Sequence, residues 1–273
     1  MDKALQEKYE NLKTIIKDCG TAIIAYSGGV DSTLLAFIAS RELRENALCL
    51  TINSELIPSA ELQESIEMAK EYGFKHQVLN LSVLNNSDIT NNSPERCYFC
   101  KNTVFSKITE LAKDYKIINI LEGSNTDDLS DYRPGFKAIL NLSIKSPLME
   151  AKLSKSEIRE ISKTLGLKTW NKPSYACLAS RIPYNETIDI EKLSLVEKSE
   201  VFISSLGYQG IRIRHHDTIA RIELREENIE KFICNDRKSV ELKLKEYGFK
   251  YVCLDIGGYK TGSLNVFEGS HHE

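Results

Sequence analysis

The first 121 residues alternate short apolar runs with longer segments in which apolar side chains recur every three or four positions. The short runs at 22–26, 47–52, 77–81 and 117–121 predict buried strands, and the periodic segments at 1–20, 33–43, 59–72 and 101–115 predict helices. Strands that alternate with helices are typical of a parallel sheet with helices on both faces. Such α/β sheets bind ligands at the carboxyl ends of their strands.

The pattern changes in the last third of the chain. A further helix is predicted at 154–165, where Ser154 and Glu157 have the spacing of a capping box. Beyond Pro183 we expect a helix at 190–206, strands at 211–214 and 219–224, a helix at 226–247 and a strand at 250–255. This order predicts a small α+β domain with an antiparallel sheet. The expected domains are therefore 1–185 and 186–273.

Composition narrows the class of protein. The chain has 273 residues, 41% of them hydrophobic, and a formal net charge of −3. This charge argues against a nonspecific nucleic-acid binder and favours small substrates. No stretch has the apolar length of a membrane span, and an acidic N-terminal segment is unlike a signal peptide. We expect a cytoplasmic protein whose seven cysteines are reduced.

Ser27-Gly28-Gly29-Val30-Asp31-Ser32 joins the first predicted strand to the first helix after it. Two glycines permit a sharp turn and a close approach to an anion, and the helix end adds N–H donors and a positive field. The sequence matches neither the Walker pattern nor the dinucleotide fingerprint. Asp31 would repel phosphate unless Mg²⁺ lay between them, so it is expected to hold that metal. Ser27 and Ser32 are expected to donate to phosphate.

This hexapeptide resembles the PP-loop of the N-type ATP pyrophosphatases. Enzymes of that group split ATP between its α and β phosphates and adenylylate a substrate oxygen. The resemblance implies a PP-loop fold, ATP as cosubstrate, and AMP and pyrophosphate as products.

Three cysteines could carry chemistry. Cys97 and Cys100 form a CxxC pair before a predicted helix, and Cys177 stands in a turn-rich segment. A single CxxC is compatible with a redox dithiol, half of a zinc site or an iron–sulfur ligand pair. Three thiolates can hold a [4Fe-4S] cluster and leave one iron for an exogenous ligand. The residues by themselves leave these alternatives open.

A wider resemblance selects among them. The chain is similar to the LarE-type ATP-dependent sulfur transferases in blocks that run across most of its length: 96–101, 122–128, 131–135, 172–174 and 177–184. Members of that family adenylylate a carboxylate of a nicotinic-acid-derived nucleotide and replace oxygen with sulfur, which yields the thiocarboxylate of the nickel-pincer cofactor. Cys177 matches the sulfur-donating cysteine. In one branch that cysteine is sacrificed, whereas the CxxC branch uses three cysteines to hold a [4Fe-4S] cluster. With Cys97 and Cys100, this chain resembles the cluster branch.

The segment after the fourth strand supplies further candidates. Gly123, Asn125 and Asp128 are expected to border the nucleotide, with Asp128 contributing to the Mg²⁺ environment. The alternative for all three is an ordinary polar turn.

Four basic residues complete the candidate site. Lys101 and Arg181 each neighbour a proposed cluster thiol and are expected to stabilise thiolate or adenylate phosphate; the alternative is a solvated charge. Arg212 and Arg214 alternate along a strand and therefore share a face. In the family the matching pair is associated with the phosphate of the substrate nucleotide. The alternative is a polar strand face.

The leading hypothesis is an ATP-dependent, cluster-containing sulfur transferase that acts on a small carboxylated nucleotide, uses sulfide or another sulfur donor, and forms a homo-oligomer. A tRNA thiolase with the same cluster is an alternative, although no RNA-binding extension is evident. A nonenzymatic nucleotide or redox sensor is another. Glu200 and Glu223 match positions linked in some relatives to a metal at a subunit contact. That site is not carried over, because Lys231 stands where an acidic partner is wanted.

Overall fold

A computed structural model describes residues 1–129, 134–173 and 176–260. Two compact units are present: Met1–Val83 with Glu95–Tyr175, and Leu84–Pro94 with the chain from Ala176 onward. In chain order the helices and strands are α1 (Lys3–Lys17), β1 (Ala22–Ala25), α2 (Val30–Glu42), β2 (Ala47–Asn53), α3 (Ser59–Glu71), β3 (His76–Asn80), α4 (Ser87–Thr90), α5 (Arg96–Asp114), β4 (Asn119–Leu121), α6 (Pro134–Asn141), α7 (Pro147–Glu150), α8 (Lys155–Thr164), α9 (Ile190–Ser205), β5 (Arg212–His216), β6 (Ile219–Glu223), α10 (Glu226–Asn235), α11 (Arg237–Tyr247) and β7 (Tyr251–Leu254).

The first unit is built on a parallel sheet with the strand order β3-β2-β1-β4. In the register of the central strands, Ile24 of β1 lies beside Cys49 of β2 on one side and Leu121 of β4 on the other. The parallel order confirms the predicted α/β class. It also brings the ends of β1 and β4 to the same edge of the sheet.

Helices cover both faces of this sheet, as predicted. Successive residues of β1 point to opposite faces. Ile24 packs in a core with α1, α2, α7 and α8. Ile23 belongs to a second core, in which Phe105 and Ile108 of α5 and Ile139 of α6 are buried. Burial of these side chains on both faces fixes the sheet between two helical layers.

Two helix starts differ in how well the sequence predicted them. Helix α8 follows Ser154, whose hydroxyl and backbone form the predicted capping box with Glu157. Helix α5 begins at Arg96, whereas the prediction began it at 101. The prediction was wrong because the buried stripe of α5 starts only at Phe105, apart from Arg96, and the consecutive residues Cys97-Tyr98-Phe99-Cys100 lack the three- to four-residue spacing of a helix face. The CxxC pair consequently lies inside the helix.

The second unit contains a mixed sheet in the order β5-β6-β7. Strands β5 and β6 are antiparallel, but β6 and β7 are parallel, so the prediction of an antiparallel sheet was wrong for β7. The reason is that α10 and α11 form a crossover, which returns the chain in the same direction. These two helices replace the single helix predicted at 226–247, and they meet at Asp236, which accepts a hydrogen bond from the Tyr208 hydroxyl at 2.5 Å.

Residues 84–94 belong to this second unit. The Asn92 side-chain amide donates to the carbonyl oxygens of Ile182 (3.2 Å) and Pro183 (2.7 Å), and the Asn185 N–H donates to the Asn92 carbonyl at 3.0 Å. Such bonds tie the segment to residues far along the chain. Among the helices that the structure describes, none is long and apolar enough to span a bilayer.

Candidate functional site

The loop 27–32 turns between β1 and α2 at the carboxyl edge of the sheet. Ser32 is its internal anchor: its hydroxyl donates to the Gly29 carbonyl at 3.2 Å and accepts from the Ser27 N–H at 3.2 Å. The hydroxyl oxygens of Ser27 and Ser32 lie 3.0 Å apart. Gly29 is the N-cap of α2 and has no side chain to block the positive end of that helix. The loop therefore has the form of an anion cradle.

Gly28 lets the loop approach its neighbours closely. Its φ is +72°, and a Cβ at this position would lie 2.9 Å from the Cβ of Ser65 on α3. The ammonium of Lys172 donates to the Gly28 carbonyl at 3.1 Å and to Glu64 at 2.8 Å. Both the backbone conformation and the available space thus require glycine.

Asp31 lies in the first turn of α2, and its carboxylate is largely buried. One oxygen, Oδ2, pairs with the Lys155 ammonium at the start of α8. The other, Oδ1, is buried and accepts no hydrogen bond from any residue that the structure describes. Burial raises the pKa of the Asp31 carboxyl, and Lys155 opposes that rise. An unsatisfied buried carboxylate oxygen beside a phosphate cradle is a fitting ligand for Mg²⁺.

The turn after β4 lies against this loop through Gly123. A Cβ on Gly123 would be 3.1 Å from the Ser32 nitrogen and 3.3 Å from the Asp31 Cβ. The turn holds itself together, because the Asn125 N–H donates to Asp128 Oδ2 at 3.0 Å. The Asp128 charge also contributes to the raised pKa of Asp31. The structure thus brings Gly123 and Asp128 to the loop, while Asn125 is buried within the turn.

The two thiols of the CxxC pair share one face of α5. Cys97 is exposed and Cys100 half-buried, and residues three apart on a helix are neighbours. A guanidinium nitrogen of the buried Arg96 lies 4.0 Å from Cys97 Sγ. Lys101 packs its stem against Gly135, where an added Cβ would lie 2.7 Å from Lys101 Cδ. Lys101 is therefore anchored along its stem rather than fully solvated.

Cys177 belongs to the second unit, where it is half-buried and precedes a short 3-10 helix, Leu178–Arg181. Arg181 is only 1% exposed, which rules out the alternative of a solvated charge. Its guanidinium pairs with both carboxylate oxygens of Glu200 at 2.9 Å and donates to the carbonyls of Ala176 (2.6 Å) and Cys177 (3.1 Å). Arg181 thereby holds the backbone around Cys177.

Arg212 and Arg214 are both buried on β5, at 7% and 5% exposure, so they do not form an exposed polar face. Arg214 donates to Glu223 at 2.7 Å and to the Ser180 carbonyl at 2.8 Å. Arg212 donates to the Ile211 carbonyl at 2.7 Å and lies over the Tyr259 ring. Burial lowers the pKa of the Arg212 guanidinium. A buried guanidinium is a strong partner for an anion.

Sequence reasoning missed Lys155 and gave Lys172 no role. Lys155 contacts Asp31, a residue 124 positions away in the sequence. The one local feature of Lys155 is its position directly after the Ser154 N-cap, and that position does not indicate which residue it pairs with. Asp131, Tyr132, Arg133 and Ser174, which contribute to the family resemblance, lie outside the described residues.

Within the described ranges, no set of three or more His, Cys, Asp or Glu side chains is close enough to hold a metal ion. A metal that arrives with a nucleotide needs fewer protein ligands, since Mg²⁺ takes most of its ligands from phosphate and water. The Mg²⁺ and iron–sulfur assignments stay predictions.

Comparisons with known proteins found a family model and several relatives that match most of the chain. A family model described as queuosine biosynthesis protein QueC matches residues 21–187. The uncharacterized protein slr1717 of Synechocystis is 41% identical over 96% of this chain and 98% of its own length. The pyridinium-3,5-bisthiocarboxylic acid mononucleotide synthase of Lactiplantibacillus plantarum is 36% identical over 96% of this chain and 95% of its own. The uncharacterized protein MJ0830 of Methanocaldococcus jannaschii is 37% identical over 94% of each.

Proposed function

The chain belongs to the LarE-type, PP-loop family of ATP-dependent sulfur transferases, and from this we propose that it adenylylates a carboxylate of a small pyridinium-type nucleotide and replaces the activated oxygen with sulfur. The observation that carries the proposal is the similarity, over nearly the whole chain, to a synthase whose named product is a pyridinium bisthiocarboxylic acid mononucleotide. The geometry of the loop 27–32 supports the ATP-dependent half of this reaction, the adenylylation.

Activation of the carboxylate is assigned to the loop. Backbone N–H groups at the start of α2, with the hydroxyls of Ser27 and Ser32, bind the phosphates of ATP. Asp31, through its unpartnered Oδ1, would hold Mg²⁺ with help from Asp128. Mg²⁺ would neutralise charge on the phosphate oxygens. The acceptor carboxylate then attacks the α-phosphorus, and pyrophosphate leaves with the bridging oxygen.

Gly123 and Asn125 are assigned to the edge of this nucleotide site. Gly123 leaves room beside Asp31, since any larger residue would meet the loop backbone. Asn125 fixes the turn that carries Asp128, because its backbone N–H donates to that carboxylate at 3.0 Å.

Delivery of sulfur is assigned to Cys97, Cys100 and Cys177, which would hold a [4Fe-4S] cluster. The two α5 thiols fit such a group, because they share a helix face and neither is buried. When bound, the cluster would supply an iron that binds sulfide, so that the protein thiols are not consumed. Arg181 positions the backbone of Cys177. Lys101, next to Cys100, would stabilise the thiolate or the adenylate phosphate.

The substrate nucleotide also carries a phosphate, which we assign to Arg212 and Arg214 on β5. Arg214 already donates to Glu223 at 2.7 Å. This ion pair fixes the Arg214 guanidinium in place for the proposed phosphate. Use of sulfide as donor and a homo-oligomeric state complete the proposal.

The test begins with anaerobic purification and quantification of iron and sulfide. The protein is then incubated with ATP and either candidate carboxylated pyridinium nucleotides or unmodified tRNA. We expect AMP, pyrophosphate and a thiocarboxylate only with the small nucleotides. Sulfur incorporation into tRNA would identify a tRNA thiolase. Absence of pyrophosphate with every acceptor would indicate a nonenzymatic sensor.

Variants separate the two halves of the reaction. Cys97→Ala, Cys100→Ala and Cys177→Ala should each abolish the brown absorbance of the anaerobic protein, and unchanged iron content in any of them would remove that residue as a ligand. Asp31→Ala should keep the cluster but lose adenylylation. Full activity in that variant would show that the Mg²⁺ assignment is wrong.

A further inference from the structure

A chain of hydrogen bonds crosses the parallel sheet toward the loop 27–32. It begins at His76 on the edge strand β3, passes through Thr51 on β2 and reaches the carbonyl of Tyr26, the residue directly before the loop. The Thr51 hydroxyl donates to the Tyr26 carbonyl at 2.8 Å, and the same hydroxyl oxygen lies 2.8 Å from His76 Nε2. Thr51 is 4% exposed, so its hydroxyl depends on these two partners rather than on water.

The chemistry of the three groups sets the direction of these hydrogen bonds. A carbonyl only accepts and a hydroxyl has one proton, so the Thr51 proton is used on Tyr26. Thr51 must then accept from His76, which requires a proton on His76 Nε2. Burial lowers the pKa of the His76 imidazole, so at pH 7 this is the one proton of a neutral ring. His76 is therefore the first donor of the hydrogen-bond chain.

The hydrogen-bond chain continues into the loop through a single peptide group. The carbonyl of Tyr26 and the N–H of Ser27 belong to the same planar unit. That N–H donates to the Ser32 hydroxyl at 3.2 Å, and the Ser32 hydroxyl donates to the Gly29 carbonyl at 3.2 Å. Strand β1 ends at Ala25, so this peptide stands where the backbone leaves the sheet and the anion cradle begins. Hydrogen bonds at both of its ends fix the plane of the peptide.

We propose that Thr51 and His76 are positioning residues for the binding of pyrophosphate by the loop 27–32. They hold the first peptide of the loop in the orientation that the phosphate-binding groups after it need. Hydrogen bonds that run in one direction through a poorly solvated region also polarise and strengthen one another. This role rests on the proposed function, since it takes the loop to bind the phosphates of ATP. It deepens that function by adding two residues that lie outside the loop.

The first test is calorimetric titration with pyrophosphate, and separately with ATP, in the presence of Mg²⁺. Thr51→Val keeps the shape of the side chain and removes the hydroxyl, so we expect pyrophosphate to bind about three- to tenfold more weakly. Thr51→Ser restores a donor at nearly the same place and should recover most of the affinity. Unchanged binding in Thr51→Val, or an equal loss in Thr51→Ser, would overturn the proposal.

The second test removes the first donor through His76→Phe, which also serves if Thr51→Val does not fold. A phenyl ring can keep the edge-on contact with the Tyr26 ring, whose centroid lies 5.7 Å from that of His76, but it cannot donate to Thr51. We expect about two- to fourfold weaker pyrophosphate binding. Because both residues act through one carbonyl, combining His76→Phe with Thr51→Val should weaken binding no further than Thr51→Val does. Unchanged binding in His76→Phe, or additive losses in the double variant, would overturn the proposal.

Thr109→Val is the matched control. The Thr109 hydroxyl also donates to a backbone carbonyl at 2.8 Å, that of Phe105, but it does so within α5. The control should leave pyrophosphate binding unchanged, and a loss equal to that of Thr51→Val would overturn the proposal. These titrations need neither the sulfur acceptor nor the cluster. A wild-type protein that binds neither ATP nor pyrophosphate would refute the ATP-dependent function itself, whereas wild-type binding that Thr51→Val leaves unchanged would refute only the positioning role.

Discussion

The ion pair between Arg181 and Glu200 offers the sharpest quantitative prediction for the second unit. Arg181 is 1% exposed and donates to both Glu200 oxygens at 2.9 Å, to the Ala176 carbonyl at 2.6 Å and to the Cys177 carbonyl at 3.1 Å. Removing it by Arg181→Met leaves Glu200 with the Ile213 N–H, 3.0 Å away, as a donor on the strand below. The carboxylate would keep the electrostatic attraction of Arg212 but lose both hydrogen bonds from Arg181 in a poorly solvated place.

The magnitude follows from that burial. Breaking one partner of a buried, hydrogen-bonded pair costs about 3–5 kcal/mol of unfolding free energy, mostly because the remaining charge is desolvated. Glu200→Gln keeps the shape and an acceptor for Ile213, so we expect about 2 kcal/mol. Arg181→Met combined with Glu200→Leu removes both charges. Its cost should be smaller than the sum of the single changes.

Urea unfolding followed by circular dichroism measures these losses, and hydrogen exchange of residues 211–216 reports whether β5 opens locally. Lys245→Met is the control, because its pair with Glu241 is exposed on α11 and should leave the midpoint unchanged. The reasoning is refuted if Arg181→Met loses less than about 1 kcal/mol or shifts the midpoint no more than the control does.

Two further predictions concern the first unit. Gly28→Ala should abolish measurable ATP binding and destabilise the protein by about 1–3 kcal/mol, because its φ is +72° and the new Cβ would meet Ser65; calorimetry checks this, and retained affinity contradicts it. Burial tends to raise the pKa of Glu157, but hydrogen bonds from Lys8 and Ser154 lower it overall. Its stabilisation is therefore present above the unfolded pKa of about 4.3 and lost as the pH falls through the lower pKa of the folded state. Glu157→Gln should cost about 0.5–1 kcal/mol at pH 7 in thermal unfolding and progressively less as the pH falls and the carboxyl is protonated; a cost that does not fall with pH would contradict this.

Local patterns were sufficient where the physical cause is local. The apolar runs predicted β1 to β4 within a few residues, the Ser154 cap predicted the start of α8, and the Gly28–Gly29 turn predicted the anion cradle. In each case the determining interactions lie within a few positions along the chain. The same reasoning failed for the start of α5, where Cys97-Tyr98-Phe99-Cys100 are consecutive rather than spaced as on a helix face.

Partners distant in sequence were not predictable in the same way. Arg212 and Arg214 alternate along β5 as polar residues do on an exposed strand, yet both are buried. Only the pairing of β5 with β6 shows why, since it brings Arg214 to Glu223. Arg181, which could have been a solvated charge from its sequence context, is likewise explained by Glu200 on α9.

The sequence by itself determined the alternation of strands and helices, the glycine turn with its acidic residue, and the family to which the chain belongs. These features depend on the period of apolar residues and on the backbone freedom of particular residue types, and both are set by residues close together in the sequence. Only the tertiary structure decided that Lys155 neutralises Asp31, that an oxygen of Asp31 is left for a metal, and that Arg181 and Arg214 are buried ion-pair members. Charge pairing and desolvation depend on distance in space, and folding alone sets that distance.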